Sequence, residues 1–439
     1  MGLWECRARS HTPSLLHFLM EKLIVQGGSQ LSGAINISGS KNSSLPILAA
    51  TLLTAEECRI SRVPDLSDTN YMLQILQNLG AEVERHSGTV LVKAEKIRSD
   101  APYDLVRKMR ASICVMGPLL GRLREASVSL PGGCIIGDRP VDLHLKGLGE
   151  LGADVNVDGG NIMIRATDKF HGREINLRGK HGSTVLGTDN LMMAATLTSG
   201  VTIIEGAAAE PEVVDLANFL NKMGAKITGA GTRRIEIEGV KELHGADHEV
   251  IPDRIEAGTF LVAGAMAGKN LLLRRMCPDH LGPVVELLKS CGAPIEMGPD
   301  WIKISRAENV VGGEIRTEPY PGFPTDMQAQ FCAMFSTVPG ISVVTETIFP
   351  QRFMHVPELA RMGANIKLEG PTAVIHGVPE LKAAPVMASD LRASAALVLA
   401  ALNAKGSTEI NRLYHIDRGY EHIDQKLRDV GATMHRAKG

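Results

Sequence analysis

Leu79-Gly-Ala-Glu-Val83 closes an amphipathic run, and its Gly-Ala pair returns five times along the chain. The copies are Leu151-Gly-Ala-Asp-Val155, Met223-Gly-Ala-Lys-Ile227, Cys291-Gly-Ala-Pro-Ile295, Met362-Gly-Ala-Asn-Ile366 and Val430-Gly-Ala-Thr-Met434. The glycines stand at 80, 152, 224, 292, 363 and 431, with spacings of 72, 72, 68, 71 and 68 residues. Regular spacing over the whole length marks an internal repeat. Glycine just past a helix takes the left-handed position, so its recurrence predicts one local geometry six times: helix, Gly-Ala, strand.

Each unit reads alike. A polar loop leads into an apolar helix, as in Ser44–Ala50 or Ser394–Ala401, and a strand follows, such as Val201–Glu205 or Ile341–Thr345. The amphipathic helix then ends in Gly-Ala. In the first five units a strand pair closes the motif, for example Ala153–Val157 with Asn161–Arg165 across Asp158-Gly-Gly160. Alternating strands and helices with hairpins predict an α/β fold with mixed sheets. The sixth unit runs out of chain before its last strand, while Lys22–Gln26 is a strand without a unit. The N-terminal strand is therefore predicted to pair there and close a circle. The expected architecture is a two-domain inside-out α/β barrel, six repeats of about 70 residues with three per domain. One domain spans 41–250; the other is discontinuous, 20–40 with 251–439.

At 439 residues the chain exceeds one ordinary core. Lys plus Arg number 47 against 49 Asp plus Glu, and aromatics are 4%. That balance argues against a nucleic-acid or anionic-membrane partner, and few rings are present to stack bases. No apolar run approaches the ~18 residues of a membrane span. Seven cysteines, widely spaced and without a CxxC or Cys/His pairing, predict free thiols, a cytoplasmic protein and no metal or cofactor site. Residues 1–19 differ from the rest and read as an upstream extension, not a signal peptide, because the apolar run is short and lacks a small-residue cleavage site.

Candidate chemistry lies in the polar loops. Leu130-Pro-Gly-Gly-Cys134 sets a thiol on glycines, with Asp138 and Arg139 close behind, and a nearby cation favours thiolate. The bland alternative is an inert loop cysteine. Lys41, Arg110, Arg254 and Arg392 each stand where an apolar helix begins. A cation there opposes the helix dipole, so four such placements break a local rule together. Helix N-termini and cations combined bind phosphate or carboxylate; solvated surface charges are the competing explanation. Arg352 and Arg418 occupy the second loops of their units, the slot of Cys134–Arg139. Asp326, opening another apolar helix, is either a helix cap or a general base among cations.

These motifs resemble those of the bacterial UDP-N-acetylglucosamine enolpyruvyl transferases, from about Met20 to Lys438. The resemblance rests on Gly39-Ser-Lys-Asn42, Leu130–Cys134 with Gly137-Asp-Arg-Pro-Val-Asp-Leu-His144, and Pro252-Asp-Arg-Ile-Glu-Ala-Gly-Thr259. It extends to Phe323-Pro-Thr-Asp-Met-Gln-Ala-Gln330, Arg352-Phe-Met-His-Val-Pro-Glu358 and Asp417-Arg-Gly-Tyr-Glu421. It implies transfer of the enolpyruvyl group of phosphoenolpyruvate to the 3-hydroxyl of UDP-N-acetylglucosamine, releasing phosphate, at the first committed step of peptidoglycan synthesis. It also implies domain closure on the nucleotide sugar and a lid carrying Cys134. By the same resemblance Cys134 donates a proton to the phosphoenolpyruvate methylene and can form a covalent adduct. Asp326 takes the 3-hydroxyl proton. Lys41, Arg139 and Arg418 hold phosphoenolpyruvate. Asn42, Arg110, Arg139, Pro140, Val141, Asp142, Leu143 and Ile348 contact one substrate or the other. Asp390 and Arg392 are further active-site positions, and Arg352 is an arginine near the cleft.

The chain departs from the family pattern in two places. Many members have a lysine and then Ser-Val-Gly-Ala at the uridine diphosphate; here Arg178-Gly-Lys-His-Gly-Ser-Thr184 precedes Val185. Thr184 and Val185 align, but the lysine column falls near Gly182, two residues from Lys180. Asp138 replaces what is often alanine. Two other functions remain open from sequence. One is the related 3-phosphoshikimate enolpyruvyl transferase, which lacks such a cysteine lid and carries Lys-Ser where Lys41-Asn42 stands. The other is a non-catalytic paralogue that binds a nucleotide sugar.

Overall fold

The computed structural model describes residues 21–101, 103–130, 141–180 and 182–438. The N-terminal extension, Cys134, Asp138, Arg139 and Pro140 lie outside the described residues.

All six repeat glycines take positive φ, from 92° at Gly363 to 108° at Gly431. The hydrogen bonds explain why the pair is Gly-Ala. Gly80 N–H donates to Gln77 O at 3.0 Å and Ala81 N–H to Leu76 O at 3.0 Å, so both residues satisfy carbonyls of the helix end. The double bond recurs at Gly224-Ala225, Gly292-Ala293, Gly363-Ala364 and Gly431-Ala432. At Gly152 only the glycine bond to Gly149 O, 2.9 Å, is of this kind. Those five alanines are buried beneath the turn, where a larger side chain would push the following strand away.

Each unit contributes one four-stranded sheet with one plan. A short strand lies parallel to the unit's second strand, and the closing hairpin follows antiparallel. In the second unit these are Asp100–Ala101, Glu125–Ser129, Asn161–Ala166 and Ala153–Asp158, in that spatial order. The sixth sheet is completed from the other end of the chain. Glu21–Gln26 lies antiparallel to both Ser407–Asn411 and Thr433–Lys438, with Leu23 opposite Ile410 and Arg436. The next strand, Leu31–Asn36, pairs parallel with Gly268–Arg274.

The sheets lie outside and the apolar helices inside. Lys41–Ala50, Val185–Thr196, Arg254–Ala267, Gln328–Phe335 and Leu391–Asn403 bury nearly every residue, as helices apolar on all faces must. The second helices, such as Ser67–Leu79 and Pro211–Lys222, bury one stripe under their sheets. Buried apolar residues form two clusters: one runs from Leu45 to Val250, the other joins Leu23–Ile37 to Ile255–Met434. We call these the first and second lobes. Two chain crossings join them side by side. Ser40 N–H donates to Ile251 O at 2.7 Å and Asp253 N–H to Ser38 O at 2.9 Å. The Asp253 carboxylate caps both helices that leave the crossings. It accepts from Ile255 N–H at 2.8 Å and Glu256 N–H at 2.9 Å, and from Lys41 N–H at 3.1 Å.

Among the described residues, no helix is long and apolar enough to cross a membrane, and no group of three His, Cys, Asp or Glu could hold a metal ion.

Candidate active site

The helix-start cations fall where the spacing places them. Lys41 and Arg254 are the first residues of their α-helices, Arg110 opens the 3-10 turn Arg110–Val115, and Arg392 is second in Leu391–Asn403. Lys41 Nζ lies 2.7 Å from Asp68, and Arg418 Nε from the second lobe lies 2.9 Å from the same carboxylate. Burial is the largest influence on Asp68 and raises its pKa, but Lys41 and Arg418 together outweigh it and hold the carboxyl below its usual range. Lys41 is lowered, by burial first, with Asp68 opposing and the Arg418 and Arg392 charges adding to burial. The Arg392 charge is thus near enough to act on Lys41.

Asp326 anchors a second group. Arg352 Nη1 lies 2.7 Å from its Oδ1, and Arg392 Nη2 lies 3.4 Å from its Oδ2. Asp326 lies inside the 3-10 turn Thr325–Met327, whose N-cap residue is Pro324, and the helix Gln328–Phe335 has Met327 at its N-cap, so Asp326 holds neither cap position. A carboxylate beside two guanidiniums, still partly open to solvent, can accept a hydrogen bond from a further group that reaches it. The Arg392 guanidinium also sits 5.3 Å from the Tyr420 ring. Its Nε and Nη1 are buried with no hydrogen bond of good geometry, although the Tyr420 hydroxyl is near enough to interact with the guanidinium. Asp390 holds this helix start through Oδ1, which accepts from Arg392 N–H at 2.9 Å and Ala393 N–H at 3.1 Å. Arg254 is engaged differently: its Nε donates to Glu212 Oε1 of the first lobe at 2.9 Å.

The remaining candidates divide. Asn42 follows Lys41 in the helix, and Ile348 N–H donates to Glu346 at 2.8 Å. Val141 precedes the helix Asp142–Glu150, whose Leu143 packs on Gly179. Thr184 caps the helix that Val185 begins, accepting from Gly187 N–H at 3.2 Å. This corner ties to the second lobe through Arg233, which donates to Ser183 Oγ at 2.9 Å and Tyr320 O at 3.0 Å. Burial, with Arg110 nearby, lowers His144 to about 3, so it remains neutral.

Sequence reasoning missed Asp68, Glu212 and Glu346. A signal for the first two exists: Asp68, Asp142, Glu212, Glu358 and Asp424 each stand in the first turn of a unit's second helix. A recurrent acid set against recurrent cations predicts pairing between them, and Asp68 with Lys41 and Glu212 with Arg254 are instances among the described residues.

The chain was compared with known proteins. The EPSP synthase family (3-phosphoshikimate 1-carboxyvinyltransferase) matches residues 25–427. A UDP-N-acetylglucosamine 1-carboxyvinyltransferase of Akkermansia muciniphila is 62% identical over 419 residues, 95% of this chain and 99% of the relative. One of Methylacidiphilum infernorum is 61% identical over 417 residues, 95% of this chain and 99% of the relative. Among solved structures, the enolpyruvyl transferase NikO from Streptomyces tendae superposes with TM-score 0.86 at 24% identity, covering 96% of this chain and 99% of its own. An EPSP synthase from Acinetobacter baumannii superposes with TM-score 0.74 at 16% identity, covering 95% of this chain and 100% of its own.

Proposed function

The chain belongs to the UDP-N-acetylglucosamine 1-carboxyvinyltransferases, within the wider EPSP synthase family, and we propose from that premise which of its residues carry the reaction. The 1-carboxyvinyl group is the enolpyruvyl group of phosphoenolpyruvate. The enzyme transfers it to the 3-hydroxyl of UDP-N-acetylglucosamine and releases phosphate, in the first committed step of peptidoglycan synthesis.

Addition needs a proton delivered to the methylene carbon and one taken from the sugar hydroxyl, so an acid and a base must face each other. Asp326 accepts the hydroxyl proton as that oxygen bonds to C2 of phosphoenolpyruvate, and Cys134 supplies the proton to C3. Loss of a proton from C3 and of phosphate from C2 then restores the alkene. Lys41, Arg139 and Arg418 hold the phosphate and carboxylate, where fixed cations in a closed cleft stabilise developing charge. Asn42, Arg110, Pro140 to Leu143, Thr184, Val185, Ile348, Asp390 and Arg392 position the two substrates. Division of the chain into 41–250 and 20–40 with 251–439 lets UDP-N-acetylglucosamine close one domain on the other, with the Cys134 loop as lid.

The observation that carries this reading is the grouping of Asp326 with Arg352 and Arg392, near the cluster of Lys41, Asp68 and Arg418 whose lysine feels the Arg392 charge. The free thiols of Cys58, Cys114, Cys277, Cys291 and Cys332 favour a reducing compartment, and we place the reaction in the cytoplasm, in support of cell shape and division. Phosphate release from phosphoenolpyruvate that depends on UDP-N-acetylglucosamine tests the activity; a folded protein that releases none sinks it. Cys134→Ser is expected to impair turnover far more than UDP-N-acetylglucosamine binding. Fosfomycin, an epoxide that alkylates the family cysteine, is expected to label Cys134, and mass mapping of the adduct checks this directly.

A further inference from the structure

Glu346 follows the strand Ile341–Thr345 and is fully buried. Burying a carboxylate costs several kcal/mol unless donors surround it. Four do. Its Oε1 accepts from Thr317 Oγ1 at 2.8 Å, Ile348 N–H at 2.8 Å and Phe349 N–H at 2.9 Å. Its Oε2 accepts from Thr325 Oγ1 at 2.8 Å.

The two oxygens serve different segments. Oε1 satisfies the backbone of the loop after the strand, which any capped turn requires. Oε2 reaches instead to the residue immediately before Asp326. Thr325 Oγ1 in turn accepts from Arg352 Nη1 at 3.0 Å, and that same nitrogen lies 2.7 Å from Asp326 Oδ1. The loop that carries Arg352 and the turn that carries Asp326 thus share one buried anchor. Gln328, also fully buried, donates from Nε2 to Arg352 O at 2.8 Å and fixes the far end of the loop.

We propose that Glu346 is a positioning residue: through the Thr325 hydroxyl it sets Arg352 and Asp326 in the register at which Asp326 meets the sugar hydroxyl. The proposal rests on Asp326 being the base of the reaction above. Small displacements of a reacting group are costly, about a hundredfold in rate for an ångström.

The test separates alignment from folding and from the activity itself. Steady-state kcat and KM for UDP-N-acetylglucosamine are measured by phosphate release for the unmodified chain, Thr325→Val, Thr325→Ser and Glu346→Gln. Thr325→Val keeps the shape and removes the hydroxyl, and is expected to lower kcat about tenfold or more with KM within about twofold. Thr325→Ser restores the hydroxyl and is expected to stay within about twofold of the unmodified enzyme in both. Glu346→Gln keeps an acceptor toward Ile348 and Phe349 and is expected to lose kcat as Thr325→Val does, which covers the case where the valine variant fails to fold. Unchanged kcat in folded variants of an active enzyme overturns the proposal, and so does a loss confined to KM. An unmodified chain that releases no phosphate instead overturns the catalytic reading, and the proposal falls with it.

Discussion

Asp68 and Asp326 are each held by two cations, at 2.7 and 2.9 Å in one case and 2.7 and 3.4 Å in the other. Their exposure separates them: 1% of the Asp68 side chain meets solvent, against 25% of Asp326. A carboxylate sealed between a lysine and an arginine of opposite lobes can neutralise charge, but a sugar hydroxyl cannot reach it. A carboxylate held by two guanidiniums with a quarter of its side chain exposed can be reached by one. On the proposed reading the same pairing serves as a counter-ion in one place and a base in the other, and burial is what separates them. The largest expected effect follows from that contrast. Asp326→Asn is expected to lower kcat by about 10²–10⁴, the usual contribution of a general base, with UDP-N-acetylglucosamine binding by calorimetry changed only a few-fold. Asp68→Asn is expected to lower kcat at least about tenfold less than that. Equal losses in the two variants would break the distinction.

Asp68 should register in stability more than in turnover. Removing the Asp68 charge leaves Lys41 and Arg418 facing each other, and breaking a buried pair costs about 3–5 kcal/mol. Arg418 keeps 35% of its side chain exposed, so about 2 kcal/mol is the expected loss in urea unfolding. The pH dependence has a definite sign. Because the folded carboxyl of Asp68 lies below its usual range, the unfolded chain binds the proton more readily, and stability from this group is complete above about pH 4. It is lost as pH falls from there through the folded value. Urea midpoints at pH 6, 4 and 3 are expected to fall more steeply in the unmodified protein than in Asp68→Asn.

The two carboxylates also differ in how readily sequence exposes them. Asp326 stands in a motif and opens an apolar helix, so its place among cations could be read. Asp68 lies in Ser67-Asp-Thr-Asn70, which looks like any helix start where an acid favours the dipole. Its partner Arg418 is 350 positions away, brought over only by the meeting of two lobes. Backbone geometry was legible because it is local: the six glycines report left-handed turns, and the unpaired strand at Glu21–Gln26 names its own vacancy beside Thr433–Lys438. Glu346 was illegible for the converse reason. A glutamate after an alternating strand reads as solvated, and burial becomes tolerable through the threonines at 317 and 325 together with the N–H groups of Ile348 and Phe349.

The smallest effect sharpens the contrast most finely. Arg418→Lys keeps the charge beside Asp68 but removes the planar fork, whose Nε and Nη2 now lie 2.9 and 3.4 Å from the two carboxylate oxygens. If Asp68 serves as a counter-ion, a point charge suffices and stability falls by only about 0.5–1 kcal/mol in the same urea experiment. The KM for phosphoenolpyruvate is expected to rise by more than that loss would suggest, because recognition of phosphate or carboxylate draws on the fork. A stability loss as large as that of Asp68→Asn would mean that geometry, not charge, holds the two lobes together at this point.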